Sequence, residues 1–107
     1  LSFCSKDTYI KLLEEINTNI IELTGSHLDD QGRKWILHSL DMYKKRGWQW
    51  FGGGRDQNDS KRPLKIDHNG NKFAFIGCNL ARTENQYIGI EPDAGVCDWE
   101  RMKSQIK

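Results

Sequence analysis

Three histidines are the residues of this sequence best suited to acid–base chemistry or metal binding. His27 lies in a polar connecting stretch, His38 lies on the outer face of a helical pattern, and His68 borders an Asn-Gly turn. Helical zinc sites often space two ligands as H-x-x-x-H, and none of the three histidines has another ligand type four residues away. A metal site would need ligands from distant segments, so the sequence predicts no metal ligands.

Three cysteines are the candidate nucleophiles, and their positions argue against that role. Cys4, Cys78 and Cys97 form no C-x-x-C pair, and each lies in or beside apolar residues, which indicates packed, reduced thiols. Cys78 and His68 stand at opposite ends of one predicted strand, roughly 30 Å apart at the usual rise per residue. Asp98 beside Cys97 disfavours a reactive thiolate there. We therefore predict no catalytic residue, and reduced thiols favour a cytoplasmic location.

A run of three glycines, residues 52–54, precedes Arg55 and follows three large aromatics within residues 48–51. A P-loop requires G-x-x-x-x-G-K-[ST], and a dinucleotide fold requires G-x-G-x-x-G inside a βαβ unit; the run fits neither pattern. The sequence therefore predicts no cofactor. Residues 52–63 are interpreted as a long flexible polar loop, in which glycine N–H groups beside Arg55 are also suited to hold an anion.

Charge is unevenly distributed, although the formal net charge is only +1. Residues 44–82 are rich in Lys and Arg, whereas residues 83–100 contain acidic residues and no Lys or Arg. The two segments either neutralise each other across a sheet, or the basic one binds an anionic partner. The basic Lys44–Arg46 run is also explained as a helix end, without any ligand. The candidate binding residues are Phe51, Gly53, Arg55, Lys61, Arg62, Lys65 and Arg82.

The first half of the chain predicts two helices. Apolar residues within Tyr9–Thr24 fall on one arc at helical spacing, and Gly25 is suited to end that helix. A second helix is expected after an N-cap within Asp29–Asp30, and it runs to about Arg46, where Gly47 is typical of a helix end.

The second half predicts strands. Trp48–Phe51 is a short strand with Trp48 and Trp50 facing the core, Gln86–Ile90 is another strand, and a short helix follows Asp98 through Ile106. Asn69-Gly70 is the typical sequence of a type I′ hairpin turn. The predicted cross-strand pairs are His68 with Asn71, Asp67 with Lys72, Ile66 with Phe73, and Leu64 with Phe75.

Together these patterns predict a single α+β domain over residues 1–107. Two N-terminal helices pack on a three- or four-stranded antiparallel sheet, with a short C-terminal helix. The function most consistent with them is a small non-enzymatic binding or regulatory module. Its partner is expected to be another protein, recognised through the Trp48–Arg55 stretch and the 52–63 loop.

Two other functions remain open at this point. The first is a nucleic-acid-binding or ribonuclease-like protein that uses the basic 44–82 region, although the acidic 83–100 segment argues against a basic footprint over the whole surface. The second is a small-molecule enzyme or carrier with a pocket between helices and sheet. No apolar run reaches transmembrane length, so no membrane partner is expected. The oligomeric state is left open.

Overall fold

The fold is known from a computed structural model that describes residues 4–25, 27–28, 30–79, 95–96 and 99–106. Helices and short strands alternate in an α+β arrangement, which confirms the predicted class. A 3-10 turn spans Asp7–Tyr9. The helices are α1 (Ile10–Glu15), α2 (Arg33–Lys45), α3 (Gln57–Ser60) and α4 (Trp99–Gln105). The strands are β1 (Ile20–Glu22), β2 (Gln49–Phe51), β3 (Gly53–Gly54), β4 (Leu64–His68), β5 (Asn71–Phe75) and β6 (Gly95–Val96).

The first helix is much shorter than its apolar periodicity predicts. It ends at Glu15, because Asn17 takes a left-handed conformation with φ 59°. The Thr18 N–H donates to the Leu13 carbonyl over 3.0 Å, and the Asn17 N–H donates to the Glu14 carbonyl over 3.0 Å. These two bonds form a Schellman C-cap with Asn in the place usually taken by Gly. The prediction that this helix continues to Thr24 is wrong, and residues 20–22 form a strand instead.

Strands β1 and β2 are parallel, and α2 connects them, so the N-terminal half contains a βαβ unit. Ile21 pairs with Trp50, and just beyond the paired residues the Leu23 N–H donates to the Phe51 carbonyl over 2.9 Å. The expectation of a purely antiparallel sheet is therefore wrong for these strands. The physical reason is that a helical crossover returns the chain to the end of the sheet from which it started, and this leaves the next strand parallel.

Helix α2 ends where the sequence predicts, at a second Schellman cap. Gly47 has φ 73°, and the Trp48 N–H donates to the Tyr43 carbonyl over 3.0 Å. The Tyr43 and Trp48 rings stack with centroids 5.9 Å apart, which is the apolar contact that often accompanies this cap. Ile36 and Leu40 on the inner face of α2 are buried.

The main core forms where α2 covers the parallel strand pair. It consists of Leu23, Ile36, Leu40 and Trp50, and partly buried apolar side chains pack around it. Both Trp48 and Trp50 are buried, as predicted, while Gln49 between them is exposed.

The β4–β5 hairpin has the predicted register, with Leu64 opposite Phe75 and His68 opposite Asn71. Asn69 and Gly70 have φ 51° and φ 77°, as a type I′ turn requires. In the described part of the chain the strands form three two-stranded sheets, of which β3–β6 and β4–β5 are antiparallel. The antiparallel pairing is thus confirmed, but the single sheet of three or four strands is not found there.

The C-terminal helix α4 agrees with the predicted short helix. The predicted strand Gln86–Ile90, Arg82 and Cys97 lie outside the described residues. No helix within the described ranges is both long enough and apolar enough to cross a bilayer. The single-domain assignment stays a prediction.

Candidate functional site

A cavity of about 540 Å³ opens beside the connection between β1 and α2. We call it the histidine cavity and define it by six of its lining residues: Cys4, Asp7, His27, Trp35, His38 and Ser39. Its walls come from the segment before α1, the β1–α2 connection and the first half of α2. In α/β units ligands typically bind beyond the carboxyl ends of the strands, and the connection that follows β1 occupies that position here. The volume is within the usual range for small-molecule sites.

His27 stands in the β1–α2 connection and is oriented by Asp30. The His27 Nδ1 atom lies 2.9 Å from Oδ2 and 3.1 Å from Oδ1 of Asp30. An ionised carboxylate only accepts hydrogen bonds, so this contact places a proton on Nδ1. The neutral ring then has its basic nitrogen at Nε2. The His27 side chain is 49% exposed, whereas that of Asp30 is 13% exposed, so the histidine is accessible and the carboxylate beneath it is sheltered.

His38 is oriented by a carboxylate as well, but through its other ring nitrogen. The His38 Nε2 atom lies 2.7 Å from Oδ2 of Asp7, so a proton on Nε2 leaves Nδ1 as the basic nitrogen of the neutral ring. The Trp35 indole meets the His38 ring edge-on with centroids 5.5 Å apart. The prediction that His38 is simply solvated is incomplete, because it connects α2 to the 3-10 turn.

Two histidines therefore line one cavity, and each is hydrogen-bonded to a carboxylate, His38 to Asp7 and His27 to Asp30. A histidine whose tautomer is set by a carboxylate is the usual arrangement for a general base or acid. Ser39 also lines the cavity, and its hydroxyl donates to the Trp35 carbonyl over 3.0 Å. Cys4 is a free, exposed thiol, contrary to the predicted packing, and Cys78 is free and half-buried. Among the residues the structure describes, no three His, Cys, Asp or Glu side chains cluster to hold a metal ion.

Of the binding residues proposed from the sequence, the six that the structure describes do not line the histidine cavity. Phe51 is half-buried, and its ring lies 5.6 Å from that of Phe75. Gly53 is buried in β3, and Lys65 is exposed on β4. Lys61 is partly exposed directly after α3.

Arg55 and Arg62 form ion pairs with Asp41 and Asp59, and Arg82 lies outside the described residues. The hydrogen bond from Arg55 is the main reason that the pKa of the Asp41 carboxyl is lowered from its ordinary value. Both arginines line a second cavity together with Trp50.

Sequence reasoning missed the two histidine pairs for different reasons. The His27–Asp30 pair has a local signal, an H-x-x-D spacing in a turn that follows a strand, which the helical i, i+4 spacing of zinc ligands does not cover. The Asp7–His38 pair spans 31 residues and has no local signal. It depends on the packing of the 3-10 turn against α2.

The model of the family described as "Bacterial capsule synthesis protein PGA_cap" matches residues 1–106. The chain belongs to this family. Comparison with curated proteins gives no match.

Membership of the PGA_cap family overturns the function predicted from the sequence. The prediction of a small binding or regulatory module is wrong, and so is the nucleic-acid-binding or ribonuclease-like alternative. The physical reason is that the features behind them have structural roles. Trp48 and Trp50 are buried, and Arg55 and Arg62 have carboxylate partners within the chain.

Proposed function

We propose that this chain acts in bacterial capsule synthesis and that the histidine cavity is its working site. The PGA_cap family match over residues 1–106 supports the process. The main support for this site is the contact between His27 and Asp30. The Nδ1 atom of the accessible His27 lies 2.9 Å from the Asp30 carboxylate, which is sheltered from solvent.

His27 is the acid–base group in this proposal. With its Nδ1 proton held by Asp30, the ring accepts a proton at Nε2 from a hydroxyl or water that attacks the substrate. It then returns that proton to the leaving group. Positioned proton transfer of this kind contributes roughly 10²–10⁴-fold to a rate. Asp30 orients the ring and stabilises the imidazolium that forms, without changing its own protonation state.

His38 is the second proton-transfer group of the cavity. Asp7 holds it through Nε2, so its basic nitrogen is Nδ1. The neutral rings of the two histidines therefore have different basic nitrogens, Nε2 in His27 and Nδ1 in His38, and each can accept a proton. The side chains of His38 and Asp7 are 41% and 61% exposed, so this pair is held more weakly than His27 and Asp30.

The test measures capsule formation in the native host. The host's own copy of the gene is deleted, and the parent gene or a variant is supplied in its place. Loss of the gene should remove the capsule, measured by negative staining and by the mass of released polymer. His27→Gln should fail to restore it. Asp30→Asn should restore it partly, because an amide oxygen still accepts a hydrogen bond from Nδ1.

His68→Gln is the matched control, since His68 is an exposed histidine of the β4–β5 hairpin that does not line the cavity. It should restore the capsule fully at equal protein level on immunoblots. A normal capsule without the gene would refute the role in capsule synthesis. Full restoration by His27→Gln would refute the catalytic assignment alone.

A further inference from the structure

A second cavity, of about 380 Å³, opens beside the end of α2, β2 and the segment around α3. We call it the arginine cavity and define it by Lys44, Trp48, Trp50, Arg55, Asp59 and Arg62. Among the described residues it shares no lining residue with the histidine cavity. Three of the defining side chains are cationic and one is anionic, so the lining carries a net positive charge.

The base of this cavity is a fixed hydrogen-bond network around Asp59. The Asp59 Oδ2 atom accepts from the Trp50 indole Nε1–H over 3.0 Å and from the Arg55 backbone N–H over 2.9 Å. Its Oδ1 atom accepts from the Arg62 guanidinium over 3.0 Å. The Asp59 side chain is only 17% exposed, so this carboxylate holds the cavity walls and is largely removed from solvent.

The two guanidinium groups are held in place but keep donors for a ligand. Arg55 donates to Asp41 through one terminal nitrogen, and Arg62 donates to Asp59 through one terminal nitrogen. A guanidinium has five N–H donors, so one contact leaves capacity for a second oxyanion. The Arg55 and Arg62 side chains are 34% and 49% exposed, so solvent reaches both.

Lys44 adds the third cation. It lies in the last turn of α2 and is exposed, and within the described residues it has no ion-pair partner. Asp41 and Asp59 each pair with one arginine, and Asp41 also interacts electrostatically with Lys44. Three cations therefore stand beside two carboxylates, and an incoming anion meets Lys44 and two guanidinium groups whose geometry is already set.

We propose that the arginine cavity is a binding site for a small oxyanion, a phosphate or carboxylate group of a ligand. Fixed guanidinium groups bind either group well, because their planar N–H donors match two oxygens of the anion. The buried Trp48 and Trp50 rings form an apolar wall beside the charges. This site is separate from the capsule proposal, and its test does not depend on that function.

The test is an NMR titration of the purified chain with inorganic phosphate and, separately, with citrate, at constant ionic strength. The indole N–H signal of Trp50 is the reporter, because that proton is bonded to Asp59 in the cavity. Saturable shifts with either anion support the site, and the anion that binds more tightly identifies the favoured group. A control titration with chloride should leave the signal in place.

Lys44→Gln should weaken the binding about two- to fivefold, as expected for one exposed charge contact. The matched control is Lys65→Gln, an exposed lysine of β4 that does not line the cavity, and it should bind like the parent. Neither change removes a side-chain hydrogen bond or a close ion pair within the described residues, so both variants should fold. The absence of saturation with both anions, or equal affinities of the two variants, would overturn the proposal.

Discussion

Replacing Asp59 by Ala removes one carboxylate that accepts from three donors. The Trp50 indole N–H would lose its acceptor in a side chain that is 9% exposed, and an unpaired buried donor costs about 1–3 kcal/mol. The Arg55 backbone N–H would lose a charge-assisted bond worth roughly 1.5–3 kcal/mol. The half-exposed Arg62 pair adds less than about 1 kcal/mol.

These contributions are not additive, and we expect a loss of about 3 kcal/mol in the free energy of unfolding. Urea unfolding followed by tryptophan fluorescence measures it, with Asp67→Ala as the control. Asp67 is an exposed carboxylate of β4 opposite Lys72, and its loss should cost less than about 1 kcal/mol.

Gly54→Ala tests the same hydrogen-bond network by crowding the Asp59 side chain. A Cβ on Gly54 would come within 2.6 Å of the Asp59 Cγ atom, so the carboxylate would be forced away from its donors. The alanine should therefore destabilise the parent and cost less in the Asp59→Ala background, where the contact with Cγ is gone and only the contact with the Asp59 Cβ at 2.8 Å remains. Equal costs in both backgrounds, or an Asp59→Ala loss no larger than that of Asp67→Ala, would refute this reasoning.

Three further predictions concern the hairpin, the core and an ion pair. Gly70→Val should lower the unfolding free energy by more than about 1 kcal/mol in a urea titration, because a β-branched residue is strained at φ 77°. Trp50→Ala should cost about 3–5 kcal/mol in the same assay, as large-to-small core changes do; a loss below about 1 kcal/mol would contradict the burial of this ring. Arg55→Ala should raise the pKa of Asp41 toward its ordinary value, measured by NMR titration of the carboxyl carbon. Since Arg55 lowers that pKa, the Arg55–Asp41 ion pair stabilises the fold at neutral pH, and this contribution is lost as the pH falls through the folded-state pKa of Asp41. An unchanged Asp41 titration in the variant would exclude this ion pair in solution.

Local sequence determined the elements whose decisive interactions lie within a few residues. The Asn69-Gly70 turn requires positive φ at both positions, and this fixes the register of β4 and β5 with no help from the rest of the chain. The end of α2 at Gly47 is local too, because basic residues and a glycine suit the last turn of a helix.

Local sequence was ambiguous where two local rules disagree. The apolar spacing of residues 9–24 favours one long helix, whereas Asn17 and the β-branched Ile20 and Ile21 favour a stop and a strand. In the structure Ile21 pairs with Trp50, so a contact with a distant strand settles the choice. Periodicity alone contains no information about that partner.

Only the tertiary structure decided where the functional groups meet. Asp7 and His38 come together because the 3-10 turn lies against α2, and Asp59 reaches Trp50 because α3 folds back over β2 and β3. Side-chain pairs between separate elements follow from the positions of whole helices and strands, and those positions depend on the burial of apolar surface by the entire fold.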